Sequence, residues 1–530
     1  MKKTQQANVQ LTTAKAMIYG LGICGLQFFA GYVNGFQTQF YRDMYSGLDA
    51  NILYVVAFIT LAAKLLSCVA DPIIGSLIDK SHFKRGKVRP WIGIGTLPIA
   101  LFTTLIFIYI PFDRIEGAAA RWVMYGYIAL TTVCWNIAFS LADIPGQGML
   151  PLLSTESHER NKAAGIANTL KSIAGSVPGV FVTFIMLILT ALMHKNSEDI
   201  GYVRAYYVTT ALVFFFLGAG LYSLNFFVTK ERVQSYSHRT VTAKEMFVEL
   251  KSNKLMRLLF ISALIGFSRG IMGTIVVQTG AVLVGKVYVP VLSRLLAGGE
   301  AMDPASNATW LVGITSAVTS MISFVTVPFI NKRLGERKTF ILFSLYGFTV
   351  ALTCTIFYLC LPADSPMRGG MPALIMMWVM NCFIGYMYGT HGYLPMVMTA
   401  DIVDYREWQT GERREGVDYA ILSMATKIST ALAVGLGILM VAFSGYVVGA
   451  PITPKMQNTL FIASVTLPGV GCILAMIPIL WYKIDDNTKR LMHEELAARR
   501  AATAAAEAPE TIESAESAEE GEPAIPTDAE

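Results

Sequence analysis

Charge is scarce in this chain: 15% of its 530 residues are Asp, Glu, Lys or Arg, against about 25% in soluble globular domains. Cysteine and histidine are also few, at seven and six. Cys24, Cys68, Cys134, Cys354, Cys360, Cys382 and Cys472 all stand in apolar stretches with no C-x-x-C pair. That pattern argues against a disulfide framework or a zinc site, which need spaced ligands, and fits buried free thiols. No phosphate-cradling glycine loop, metal-ligand cluster or nucleophile–base pair stands out, so neither an enzyme nor a resident cofactor is expected. Apolar residues, by contrast, make up 54% of the chain, and its mean hydropathy is +0.50. They are spread along most of its length, where soluble domains would alternate with linkers.

A helix of about 20 predominantly apolar residues crosses the hydrocarbon core. Twelve such stretches are expected, near 16–41, 52–78, 91–111, 122–150, 163–191, 205–228, 258–285, 310–331, 339–361, 371–400, 418–447 and 458–482. The connections sort the basic residues by side. With the N-terminus cytoplasmic, 29 of the 42 Lys and Arg fall in cytoplasmic segments, nine in outer connections and four inside spans. Both termini are therefore expected inside, in a bacterial inner membrane. Residues 501–530 hold nine acids and no base, so the formal +5 of the chain leaves +14 on residues 1–500. The basic surfaces belong to membrane topology, and a nucleic-acid partner is not expected. The partners expected are membrane lipid and a small molecule, and the chain is expected to be a monomer.

The chain also repeats. The basic turn Gly75–Lys87 between spans 2 and 3 has a shorter echo, Asn331–Lys338, between spans 8 and 9, and Pro145 in span 4 is echoed by Pro395 in span 10. Offsets near 250 residues imply two six-helix halves in tandem, an all-α polytopic membrane protein of major-facilitator architecture. The expected division is a cytoplasmic N-terminus (1–15), an N-terminal bundle (16–228) and a basic central loop (229–257), then a C-terminal bundle (258–482) and a largely disordered acidic tail (483–530). The central loop carries an amphipathic surface helix over 242–251. Asn307–Thr309 fits a glycosylation sequon in an outer loop. Asp79 and Arg85 in the first basic turn are candidate gating residues.

Ionisable groups inside a span cost about 2.5–3.5 kcal/mol or more at the centre and mark function. In span 2, Lys64, Ser67 and Asp71 share one helical face, and Pro72 frees a backbone carbonyl beside them. That set of oxygens suits sodium, lithium or a proton; a structural Lys64–Asp71 ion pair is the alternative. Ser140 and Asp143 share a face of span 4. Gln27 and Asn34, cofacial in span 1 among Phe28, Phe29, Tyr32 and Phe36, offer amides beside aromatic rings to a polyhydroxylated ligand, or serve as interhelical glue. Arg269, Lys427 and His391 lie within spans 7, 11 and 10. Lys427 is expected to reach Asp71 or Asp143 across the interface of the halves and couple cation binding to closure. His391 reads as a packing residue.

These residues resemble the glycoside–pentoside–hexuronide:cation symporters, over about residues 16–485. The resemblance rests on Asp71-Pro-Ile-Ile-Gly75, Arg85-Gly-Lys-Val-Arg89-Pro-Trp91, Asp143-Ile-Pro145 and the run Ala400–Gly416, in which Asp401, Asp404 and Glu407 stand as a charged gate region. In the melibiose-type pattern two span-2 aspartates four apart and a span-4 hydroxyl bind the cation. Asp71 and Ser140 match, but Ser67 replaces the first aspartate, which weakens sodium coordination and favours proton coupling. Asp143 matches the family's span-4 sugar-binding carboxylate, and Lys427 its span-11 lysine. Gln27, Gln147 and Asn168 replace its span-1 acid, a tryptophan and a span-5 arginine. The resemblance implies symport of a sugar, glycoside or hexuronide with H+ or Na+, with no metal beyond Na+ carried at Asp71. Arg269 would hold a uronate carboxylate or sulfonate, or close an internal ion pair. An amphiphile such as a lysolipid, or a sensor without flux, is the alternative function.

Overall fold

The computed structural model describes residues 11–49, 51–115 save 82, 84, 85 and 87, 119–153, 157–193, 199–229, 243–290, 293–294, 301, 314–411, 415–446, and 451–499 save 485, 486, 493 and 497. The sequon at 307–309, Arg85 and the acidic tail 501–530 lie outside these residues, as do the side chains of Asp79 and Asn168.

The first half is built from α1 (Thr13–Tyr45), α2 (Ile52–Lys80), α3 (Arg89–Ile106), α4 (Ala119–Gly148), α5 (Ser157–Met193) and α6 (Ile200–Phe227). A short helix α7 (Ala243–Ser252) follows in the central connection. The second half contains α8 (Lys254–Ile265), α9 (Ile271–Leu283), α10 (Ile314–Leu334), α11 (Glu336–Cys360), α12 (Gly370–Thr410), α13 (Glu415–Ser444) and α14 (Pro454–Ile479). Among the described residues nine of these are long and apolar enough to span a membrane by themselves. A tenth span is the pair α8 and α9, which the sequence reads as one straight helix but which bends by 49° at the turn Phe267–Gly270. The remaining two expected spans, 163–191 and 310–331, fall on α5 and α10, helices of 37 and 21 residues.

Small residues set the helix spacing, since apolar burial supplies no driving force between helices in lipid. On α1, a Cβ at Gly25 would stand 2.5 Å from the Gly218 carbonyl of α6, and one at Gly31 would stand 2.8 Å from the Gly175 carbonyl of α5. In the second half Gly389 of α12 meets Ser320 of α10, and Gly469 of α14 meets Ala351 of α11. Each contact places two backbones so close that no side chain fits between them.

The two ends of the bundle differ. One end carries the basic turns at 80–89 and 332–338 and is called here the basic end. At the opposite end one apolar cluster draws on both halves, with Phe40, Tyr45, Val56 and Phe107 from the first and Ile275, Ile438, Val441 and Leu460 from the second. Toward the basic end the core divides. Ile78, Ile92, Ala142 and Tyr222 form a cluster of the first half, and Leu259, Phe340, Met398 and Tyr482 one of the second. The halves are thus sealed together at one end and separately packed at the other.

Candidate functional site

The seam between the halves runs along α2 and α13, which lie antiparallel. Nearest the sealed end, the rings of Tyr54 and Phe443 meet edge-on at 5.8 Å. Further along, Leu61 packs on Gly435, where a Cβ would stand 3.3 Å from it. At the third level Lys427 donates from its ammonium to Asp71 Oδ2. The pair is part-buried, with side chains 28% and 18% exposed. The Lys427 partner expected from the sequence is therefore Asp71, not Asp143. Asp71 Oδ1 is buried and accepts no hydrogen bond from a described residue.

Lys64 does not form the internal pair with Asp71 that the sequence allows. Its ammonium donates to Asn34 Oδ1 of α1 at 3.2 Å. One turn on, Ser67 donates its hydroxyl to the Lys64 carbonyl at 2.8 Å, and the Cys68 thiol reaches the same oxygen at 3.3 Å. Ser67 thus turns its proton to the helix backbone, and its oxygen keeps only acceptor capacity for a cation.

On α4, Ser140 and Asp143 are buried at 3% and 8% exposure. Gln147 donates from Nε2 to Asp143 Oδ2 at 2.7 Å, so the two expected sugar contacts form one unit. Tyr19 and Tyr222 close this region by donating to the Gly146 and Ala142 carbonyls, Tyr19 at 3.0 Å. Gln27 lies on the same face of α1 as Asn34, with its amide 3.7 Å from where a Cβ of Gly175 would stand. Asn34 is exposed although it sits in mid-span, as a residue facing an interior cleft is.

Arg269 sits in the turn that breaks α8 from α9. Its Nε donates to the Gly266 carbonyl at 2.9 Å, and its Nη1 is buried without a hydrogen-bond partner. Among the described residues it forms no ion pair. His391 is bonded at both ring nitrogens, to Ser344 Oγ at 3.0 Å and to the Met387 carbonyl at 3.1 Å, and it meets the Phe340 ring edge-on at 4.9 Å. That is a packing histidine.

At the basic end Asp401 and Arg406 of the Ala400–Gly416 run pair with residues outside the first bundle. Lys489, from the segment after α14, bridges Asp401, at 2.6 Å, and Glu336 at the start of α11. Burial opposes the charge on Lys489, but the two carboxylates more than offset it and raise its pKa above the ordinary lysine value. Arg406 pairs with the fully buried Glu249 of α7, so the expected surface helix is clamped to the second half through one acidic side chain. Asp404 and Glu407 are half-buried on the same stretch of α12.

Two features of the sealed end were missed from the sequence. Arg42, buried and paired with Asp43 at 2.9 Å, holds its guanidinium 4.8 Å from the Tyr446 ring of the opposite half. Asp43 also accepts from the Tyr207 hydroxyl at 2.8 Å. The signal was present: an Arg-Asp pair inside the aromatic run Phe40–Tyr45, where a plain outer loop would be polar.

Known proteins resemble this chain in sequence and fold. An isoprimeverose transporter of Lactiplantibacillus pentosus is 25% identical over 88% of each chain. A glucuronide carrier protein homolog of Escherichia coli is 25% identical over 93% of this chain and 97% of its own. Among solved structures, a D-xylose–proton symporter superposes with a TM-score of 0.58 at 13% identity, covering 89% of this chain and 98% of that one. Residues 18–486 match the family described as MFS/sugar transport protein. The match runs the length of the helical bundle, and the chain belongs to that family: it is a multi-pass membrane transporter of major-facilitator fold, not an enzyme.

Proposed function

We propose that the protein is a secondary active transporter that carries a sugar, glycoside or hexuronide together with a cation by alternating access. The observation that carries this reading is the Lys427–Asp71 ion pair across the two halves. A carboxylate can hold a coupling cation or an ammonium, but not both at full strength. In the cation-free carrier Lys427 occupies Asp71 and ties α2 to α13. A proton or sodium ion arriving at Asp71, with Ser140 and Ser67 as oxygen neighbours, releases Lys427 and loosens the seam. Binding of the cation is thereby linked to the relative position of the halves, which is what symport requires.

Gln27, Asn34, Asp143 and Gln147 supply amide and carboxylate groups to sugar hydroxyls, and Arg269 and Asn168 stand as further substrate contacts. With the basic loops inside, in the inner membrane of a bacterium, both termini are cytoplasmic and the shared cluster closes the outer face. The described arrangement is then the inward-facing one. Asp401, Asp404 and Glu407 lie on that inner face and, with Asp79 and Arg85 of the first basic turn, act when it closes. Uptake into energised vesicles tests the reading. Asp71→Asn is expected to abolish accumulation against a gradient while retaining exchange of substrate across the membrane. Accumulation undiminished in that variant would sink the coupling assignment.

A further inference from the structure

Lys64, half-buried in the middle of α2, is a group this mechanism leaves unused, and its surroundings are unlike those of Lys427 and Lys489. Lys427 and Lys489 each sit on a carboxylate. Among the described residues Lys64 meets no carboxylate, and its ammonium donates to the neutral Asn34 amide. On its own helix Asp71 is seven residues away, about 10 Å along the axis, and its Oδ2 accepts from Lys427. Asp79 is fifteen residues away, about 22 Å along the same axis. Asp143 on α4 is engaged by Gln147. Where α1, α2 and α13 meet, the described residues thus offer two ammonium groups, Lys64 and Lys427, and one carboxylate, Asp71.

We propose that Lys64 recognises an anionic group on the transported sugar, a carboxylate such as that of a uronate, so that the substrate supplies the missing counterion. The inference rests on the symporter reading and narrows its substrate to acidic sugars and their glycosides. The donor pattern supports it. Because Asn34 Oδ1 accepts from Lys64, the amide NH2 and the remaining ammonium protons stand side by side as donors. A carboxylate, which only accepts and carries the opposite charge, is the complement of such a pair, whereas a sugar hydroxyl accepts from the ammonium without neutralising it. A charge-assisted bond discriminates an acid from its neutral analogue by about 10- to 100-fold. Sodium is the wrong occupant, being repelled by both ammonium groups.

Proteoliposomes holding the full chain test this with D-glucuronate and D-glucose, which share a ring and differ at C6. The wild-type protein is expected to favour glucuronate over glucose by at least 10-fold in half-saturating concentration. Lys64→Gln is expected to lower that ratio by 10- to 100-fold, and Lys64→Arg, which keeps the charge, to restore most of it. A merely structural lysine would move both affinities together and leave the ratio alone. A wild-type preference for glucose, or an unchanged ratio in Lys64→Gln, overturns the proposal and leaves symport standing. Failure to accumulate either sugar against a gradient overturns the symporter reading and this inference with it.

Discussion

Replacing Lys427 by methionine separates competition at Asp71 from simple structural support. Two unit charges about 4 Å apart interact by about 4 kcal/mol at the effective dielectric of a partly buried site. The side chains of Lys427 and Asp71 remain 28% and 18% exposed, and solvent screening reduces this to about 2 kcal/mol. In the wild-type carrier a cation must displace that interaction before it occupies Asp71. Removing the ammonium removes both the competitor and a source of repulsion, and the two effects have the same sign. The half-saturating concentration of the coupling cation should fall by about 30-fold, the equivalent of 2 kcal/mol. Right-side-out vesicles give the measurement, with initial uptake rates recorded as sodium, lithium and protons are titrated in turn. Adding Asp71→Asn to Lys427→Met should erase the gain, because the two residues act as one unit. If Lys427→Met leaves the half-saturating concentration unchanged or raises it, the lysine is a scaffold and not a competitor.

Two further outcomes follow from the packing. In Lys489→Gln, Glu336 and Asp401 face each other without their shared cation. The segment 487–499 should undock, and limited proteolysis there should accelerate several-fold; an unchanged cleavage rate would mean that the hydrogen bonds of Glu495 and Arg499 to Trp408 hold the segment without Lys489. Because the Lys489 pKa is raised on folding, its contribution is complete at neutral pH and is lost only as pH climbs through and beyond the ordinary lysine range. His391→Asn should leave the pH profile of uptake in place, since both imidazole nitrogens are committed to Ser344 and Met387. Loss of the profile would make His391 a proton carrier.

The helical architecture was legible in the sequence because a membrane imposes one rule on every span, a run of about 20 apolar residues, and the basic turns at 80–89 and 332–338 repeat it in register. The bend at Phe267–Gly270 was not legible. No proline marks it, and the kink depends on Gly266 and Gly471 letting α8 and α14 approach, which is a property of two distant segments together. The same division holds at the site. That Asp71, Lys427 and Asp143 are functional candidates follows from the cost of charge in lipid. Which carboxylate Lys427 takes is a matter of helix register along α2 and α13, fixed by contacts such as Leu61 on Gly435. One-dimensional spacing carries no information about that register. Arg42 escaped notice for the opposite reason. It reads as a loop residue by position and becomes a seal between the halves only because Tyr446 is brought over it.

The presence of serine at 67 and of lysine at 64 reflects one charge balance. A carboxylate at position 67 would lie three residues from Lys64, on the neighbouring turn of the same face. There it would neutralise the ammonium that now has only an amide for a partner. A second acid would also add oxygen ligands for sodium. With serine the hydroxyl is spent on the Lys64 carbonyl, leaving Asp71 as the one carboxylate among Lys64, Ser67 and Lys427. A single carboxylate suffices for a proton, which needs one oxygen, and is poor for sodium, which prefers several. Serine at 67 is therefore expected to disfavour sodium coupling and to leave Lys64 available to an anionic substrate. A proton and a uronate entering together would add no net charge beside Lys64, Asp71 and Lys427.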